Sequence, residues 1–144
     1  MNRIFENILS YYGGFIDGEG HIGIKKTPGR EGFSPTYSER ISVAGICELS
    51  IRSLNDLMPG YVYFRKPSKL SKIGIWSWEL TDNKAKIFLR LIKSYLKIKR
   101  IDVDLVLALS RLKEKNGRRA ISKKELELRE NLYLLTKRIH HKNE

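Results

Sequence analysis

Apolar and polar positions alternate between two periods along this chain. Asn7-Ile8-Leu9-Ser10-Tyr11 opens a helix with Asn7 as its N-cap, and His21-Ile22-Gly23-Ile24-Lys25 then begins a strand by alternation and β-branched content. Residues 27–38 hold two prolines, two glycines and several polar side chains, the composition of an exposed connection between strands. Arg40-Ile41-Ser42-Val43-Ala44 alternates again, with Ile41 and Val43 inward. Residues 48–58 carry Leu49, Ile51, Leu54, Leu57 and Met58 at helical spacing, and Pro59-Gly60 ends the run. Tyr61-Val62-Tyr63-Phe64-Arg65 and Gly74-Ile75-Trp76-Ser77-Trp78-Glu79-Leu80 flank a lysine- and serine-rich loop, as in a hairpin. Thr81-Asp82 caps a helix to residue 93, with Ala85, Phe88, Leu89 and Ile92 on one side.

After a short extended or helix-opening piece, Tyr95-Leu96-Lys97-Ile98-Lys99, an amphipathic helix spans 102–115 and stops at Asn116-Gly117. Ser122-Lys123-Lys124-Glu125 is a capping box for a last helix bearing Leu126, Leu128, Leu132 and Leu135. The order αββαββα predicts an α+β domain over 1–144: a four-stranded antiparallel sheet with helices on one face and extra C-terminal helices. No fixed-period repeat and no low-complexity tract interrupts it.

Charge adds a class of partner. The chain has 28 lysines and arginines against 16 acids, a net charge of +12 spread along its 144 residues. That points to a polyanion, with nucleic acid first. No apolar run reaches transmembrane length, and Met1-Asn2-Arg3 leads into no signal-peptide core, so neither membrane nor secretion is expected. Cys47 has no cysteine partner within the chain and suits an intracellular, reducing compartment, cytoplasm or organelle. His21, His140 and His141 have too few companions for a structural zinc site.

The chemistry concentrates in Tyr12-Gly13-Gly14-Phe15-Ile16-Asp17-Gly18-Glu19-Gly20, where a helix exits through glycines and acids into a strand. Gly18 can adopt the left-handed conformation that ends a helix, and Gly20 allows a sharp turn. Gly13 and Gly14 each cost about 1 kcal/mol relative to alanine, a cost offset where another backbone comes close. If that backbone belongs to a copy of the same helix, a twofold axis brings two Glu19 carboxylates together at negatively polarised helix ends, and a divalent cation relieves their repulsion. A GxGxxG phosphate loop requires the reverse order, strand then helix. An EF-hand loop starting at Asp17 fails at Ile22 and Pro28.

The nonapeptide resembles the signature motif of the LAGLIDADG homing endonucleases, with Tyr12 for the usual leucine and Gly13 for the alanine, over a core of about residues 7–112. One motif in a chain of this length resembles the homodimeric branch, whose motif helices pair; Leu9, Tyr12, Gly13 and Ile16 are the expected interface. The resemblance implies an intron-encoded endonuclease that makes double-strand breaks in a long pseudo-palindromic DNA target. Glu19 is the expected catalytic metal ligand, assisted by the Gly18 carbonyl, with Mg2+ or another divalent ion such as Mn2+ as cofactor. Asp17 is structural or secondary. Lys99 matches the family lysine that contacts the active-site water network, with Lys97 as the alternative register. The family's polar residue at the end of the second strand, often glutamine, has no counterpart in Val43-Ala44-Gly45-Ile46-Cys47, so Glu48, Ser50 or Arg52 would have to substitute.

The uncovered sheet face is expected to lie in a major groove. Lys25, Thr27, Arg40, Ser42, Tyr63, Arg65, Gly74 and Trp76 are read as outward, against inward Ile22, Ile24, Ile41, Val43, Val62, Phe64 and Ile75. The loop cations Lys26, Arg30, Lys66, Lys69 and Lys72 would reach phosphates. The alternative on this scaffold is a non-cleaving binder, a maturase with intron RNA as partner or a DNA-binding regulator.

Overall fold

The computed structural model describes residues 2–142. Met1 and the side chains of His140 and His141 lie outside that set. Helix α1 (Arg3–Glu19) leads into strands β1 (Gly20–Thr27) and β2 (Thr36–Gly45), then α2 (Glu48–Leu57), β3 (Tyr61–Arg65), β4 (Ile75–Thr81) and α3 (Asp82–Ile92). A 3-10 turn (Lys93–Tyr95) precedes α4 (Arg100–Asn116) and α5 (Lys123–Lys142). The strands form one antiparallel sheet in the order β1-β2-β4-β3. The expected α+β architecture with an αββαββα core is therefore the observed one.

Helix α1 begins earlier than the apolar pattern suggests, because the Asn2 side chain, not Asn7, accepts the amide of Ile4 and caps it. Its end also differs. Gly18 is not left-handed; the helix continues to Glu19, and Gly20 is extended (φ −83°, ψ 161°). Gly20 is needed for space, since a Cβ there would lie 2.8 Å from the Ile16 carbonyl oxygen. At the start of α5, Ser122 Oγ accepts the Glu125 amide, one half of the capping box.

The core lies between the helices and one face of the sheet. Ile22, Ile24, Ile41, Val43, Trp78 and Leu80 from the strands meet Leu9, Ile16, Phe88, Leu89, Val103 and Val106. Two polar groups are built into that layer. Buried Glu39 accepts from Ser110 Oγ (2.7 Å) and Lys113 Nζ (2.6 Å). Burial pushes the Glu39 carboxyl upward, but the Lys113 and Ser110 hydrogen bonds outweigh it and hold the group below the usual carboxylate range. Glu130 of α5 binds Tyr37 and Lys26 beside β1, which ties the last helix to an edge strand.

Candidate functional site

The site forms where α1 ends. Asp17 turns toward residues 97–99, and its carboxylate accepts three successive amides: Lys97 at 2.7 Å, Ile98 at 3.2 Å and Lys99 at 3.1 Å. Partial burial raises its pKa, yet those amides prevail and hold the carboxyl below its ordinary value. Lys99 returns the contact. Its ammonium donates to the carbonyl oxygens of Ile16 (3.2 Å) and Asp17 (2.6 Å), placing a positive charge at the negative end of the helix. Asp17 is thus a structural group, and Lys99, rather than exposed Lys97, is the lysine folded against the motif helix. Glu19 and Gly18 are both exposed at the same end. Among the described residues, no three or more His, Cys, Asp or Glu side chains converge on a metal-sized site.

Helix α1 is apolar on two sides. Leu9, Gly13 and Ile16 are buried within the protomer, with Phe5 and Tyr12 packed against the same core. The expected interface residues Leu9, Gly13 and Ile16 therefore belong to the protomer's own interior. Gly13 does meet a close backbone, but it is that of the 3-10 turn: a Cβ at Gly13 would lie 2.6 Å from the Tyr95 carbonyl oxygen. The opposite side carries Ile4, Ile8 and Tyr11, respectively 68%, 38% and 69% exposed, and half-buried Phe15, which also packs against the core, borders the stripe. Gly14 and Gly18 lie on this outer surface, and a Cβ at either position would touch nothing within 4 Å. Phe15, Tyr11 and Tyr12 also line a small hollow with Leu49, Ser50 and Ser53 of α2, extending the apolar surface onto the next helix.

The strand register sorts the expected nucleic-acid residues. Lys25, Thr27, Arg40, Ser42, Tyr63 and Arg65 share the open face, where Arg40, Ser42, Tyr63, Arg65, Ile75 and Ser77 line a groove of about 250 Å³. Trp76 is a correction. It alternates with Ile75, pairs with Gly45 and Phe64, and points to the helix side, where its ring meets Phe64 and the Arg52 guanidinium. Ile75, expected inside, is the one on the open face; Phe64, expected inside, is 44% exposed. Gly74 precedes the strand and packs against the Phe64 ring. Lys26 also leaves the expected set, since it pairs with Glu130 at 2.9 Å over the Tyr37 and Tyr133 rings. Arg30 is exposed in the loop beyond Thr27; Lys66, Lys69 and Lys72 are exposed in the loop beyond Arg65, at the other end of the sheet.

Of the residues expected to substitute for the glutamine, Glu48 and Arg52 bind each other (2.7 Å) on α2 and Ser50 is half-buried. Sequence reasoning passed over two groups on the open face. His21 is the second residue of β1, two past Glu19 and opposite Ser42. Glu79 stands beside Arg40 and Lys25. Both are one residue from an inward side chain, Ile22 and Leu80, and so fall on the opposite face.

No protein-family model and no curated protein matches the sequence. Solved structures do match in fold. The archaeal intron-encoded homing endonuclease I-Vdi141I, complexed with DNA, aligns over 92% of this chain and 84% of its own at 12% identity, with a TM-score of 0.72. The homing endonuclease I-CvuI, in complex with its target in the presence of calcium, aligns over 93% of this chain and 85% of its own at 17% identity, with a TM-score of 0.70. The LAGLIDADG homing endonuclease I-SmaMI, bound to cleaved DNA, aligns over 86% of this chain but 42% of its own at 18% identity, with a TM-score of 0.67. The chain has the LAGLIDADG homing endonuclease fold.

Proposed function

We propose that this protein is a homodimeric, site-specific DNA endonuclease that makes double-strand breaks in a pseudo-palindromic target, with a divalent cation as cofactor. The observation that carries it is the second apolar stripe of α1, Ile4, Ile8, Tyr11 and Phe15, flanked by Gly14 and Gly18 and ending at Glu19. Exposed apolar surface of this kind favours a partner, and the two glycines permit backbone contact. A second copy seated on the stripe by a twofold axis brings one Glu19 from each protomer to a common centre.

The donor set there consists of hard oxygens, Glu19 carboxylates with the Gly18 carbonyl beside them, which suits Mg2+ or Mn2+. When bound, such an ion supplies charge neutralisation and activation of water for phosphodiester hydrolysis. Lys99, anchored on the last carbonyls of α1, holds a cation beside that centre to stabilise phosphate charge. Lys25, Thr27, Arg40, Ser42, Tyr63 and Arg65 face the base edges of a major groove, while Arg30, Lys66, Lys69 and Lys72 hold phosphates. Bound DNA in neighbours of the same fold, with Mg2+ in one and Ca2+ in another, supports DNA as the partner and a divalent cation as cofactor. No described helix is long and apolar enough to cross a membrane, and the exposed Cys47 thiol suits a reducing intracellular compartment. Intron encoding follows from the resemblance alone.

Incubation with Mg2+ and a library of long duplexes tests the proposal: cleavage at one symmetric motif by a dimer is expected. A monomer on DNA, or no cut target, overturns it. The absence of glutamine at the end of β2 favours a second reading, an intron-RNA maturase or non-cleaving regulator on the same scaffold. Tighter binding to structured intron RNA than to any duplex would select the maturase; motif-specific duplex binding without cleavage would select the regulator.

A further inference from the structure

The open face of the sheet is built for an anion, yet it contains an acid. Of the described strand residues that point to this face, Lys25, Arg40 and Arg65 are cationic, and Glu79 is the sole carboxylate. A carboxylate facing phosphates is repelled by them, so its presence calls for a use that a serine or threonine could not serve.

Its surroundings supply one. Glu79 Oε1 lies 2.9 Å from Arg40 Nε and 3.9 Å from Lys25 Nζ, with side-chain exposures of 13% for Glu79 and 33% for Arg40. Arg40 Nε and Glu79 Oε1 face each other and are both shielded from solvent, so the exposed parts of the two side chains are their other atoms. An ion pair of this kind uses one donor of the guanidinium and one oxygen of the carboxylate, and the remaining donors and oxygen can serve a ligand. In the major groove a cytosine offers its N4 amine as a donor, and its paired guanine offers O6 and N7 as acceptors. Cytosine N4 and guanine O6 are joined by a hydrogen bond of about 2.9 Å, so a donor and an acceptor held side by side by an ion pair can address both.

We infer that Glu79 and Arg40 act together as a base-pair reader, Glu79 accepting from cytosine N4 and Arg40 donating to the guanine of the same pair. Lys25 flanks the couple and neutralises Glu79 as the phosphates approach. In a twofold complex the same C·G pair is read once in each half-site. The inference rests on the DNA-binding part of the proposed function and goes beyond it by naming the base pair and the two readers.

Selection of bound duplexes from a randomised library, run for the wild type, Glu79→Gln, Glu79→Ala and Arg40→Ala, tests it. The wild-type pool should contain a symmetric motif with an invariant C·G pair in each half. Glu79→Gln should lose cytosine at that pair by about tenfold or more and gain adenine, which a carboxamide recognises. Arg40→Ala should relax the same position and leave the others intact. A wild-type motif unchanged by either Glu79 variant overturns the inference alone. So does a uniform gain in affinity without any change of motif, since Glu79 would then be a counter-ion and nothing more. A wild-type pool with no enriched motif overturns both the inference and site-specific binding. Circular dichroism of each variant separates misfolding from altered readout, and two Glu79 substitutions guard against failure of one.

Discussion

The Asp17 carboxyl is pulled in two directions: partial burial favours its neutral form, while the amides of Lys97, Lys99 and Ile98 favour the anion and prevail. Its folded-state pKa therefore lies below the ordinary value of 3.8. A group depressed in this way stabilises the fold at every pH above its unfolded value, and that contribution is lost as the pH falls through the folded value. Asp17→Ala should lower stability by about 1–3 kcal/mol near neutrality in urea titrations, and the gap to wild type should close below about pH 4. Glu19 has the opposite role, exposed and free of such duties. Glu19→Gln should bind the target with wild-type affinity and cut none of it, as gel-shift and cleavage assays run side by side would show. Lys99→Met should retain binding while the single-turnover rate falls about 100- to 1000-fold, the range for loss of a charge-stabilising donor.

For the helices and strands, α1 has one face buried in the protomer and one exposed, and its glycines divide between them. Gly13→Ala drives a Cβ into the Tyr95 backbone and should destabilise the protomer by about 1–3 kcal/mol, measured by thermal or urea melts. Gly14→Leu meets open space within the protomer, so the monomer should keep its circular dichroism while sedimentation shows the dimer lost. The order of α1 and β1 and the parity of β1 and β2 are legible in the sequence because one face of each strand is clearly apolar, whereas the conformation of the helix exit at Gly18 and Gly20 is not. Which face of α1 is buried in the protomer is not legible either, since two apolar stripes share one helix and nothing local indicates which one Tyr95 will meet. Strand β4 misleads for a related reason. Ile75 and Trp76 are both apolar, and only the pairing of Val43 with Trp78 and of Ile41 with Leu80 decides that Trp76 points inward. The cap at Asn2 escapes notice because the apolar run of α1 begins with an exposed residue, Ile4.

Across the whole molecule, the net charge of +12 is spread over helices, sheet face and loops. The loop cations Arg30, Lys66, Lys69 and Lys72, doubled in a dimer, predict that the logarithm of the binding constant falls with the logarithm of salt concentration at a slope of about −7. Replacing Lys69 with alanine should make that slope shallower by about 2 per dimer without altering which sequence is preferred. Composition makes the existence of such a surface legible; its boundary is set by tertiary pairing, as when Glu130 withdraws Lys26. The reciprocal bonds between Asp17, residues 97–99 and Lys99 carry a consequence for heat inactivation. One thermal opening of that clasp would release the end of α1 and the lysine together. Cutting should therefore fail in a single step at a temperature where the sheet is still intact, and return in full on cooling.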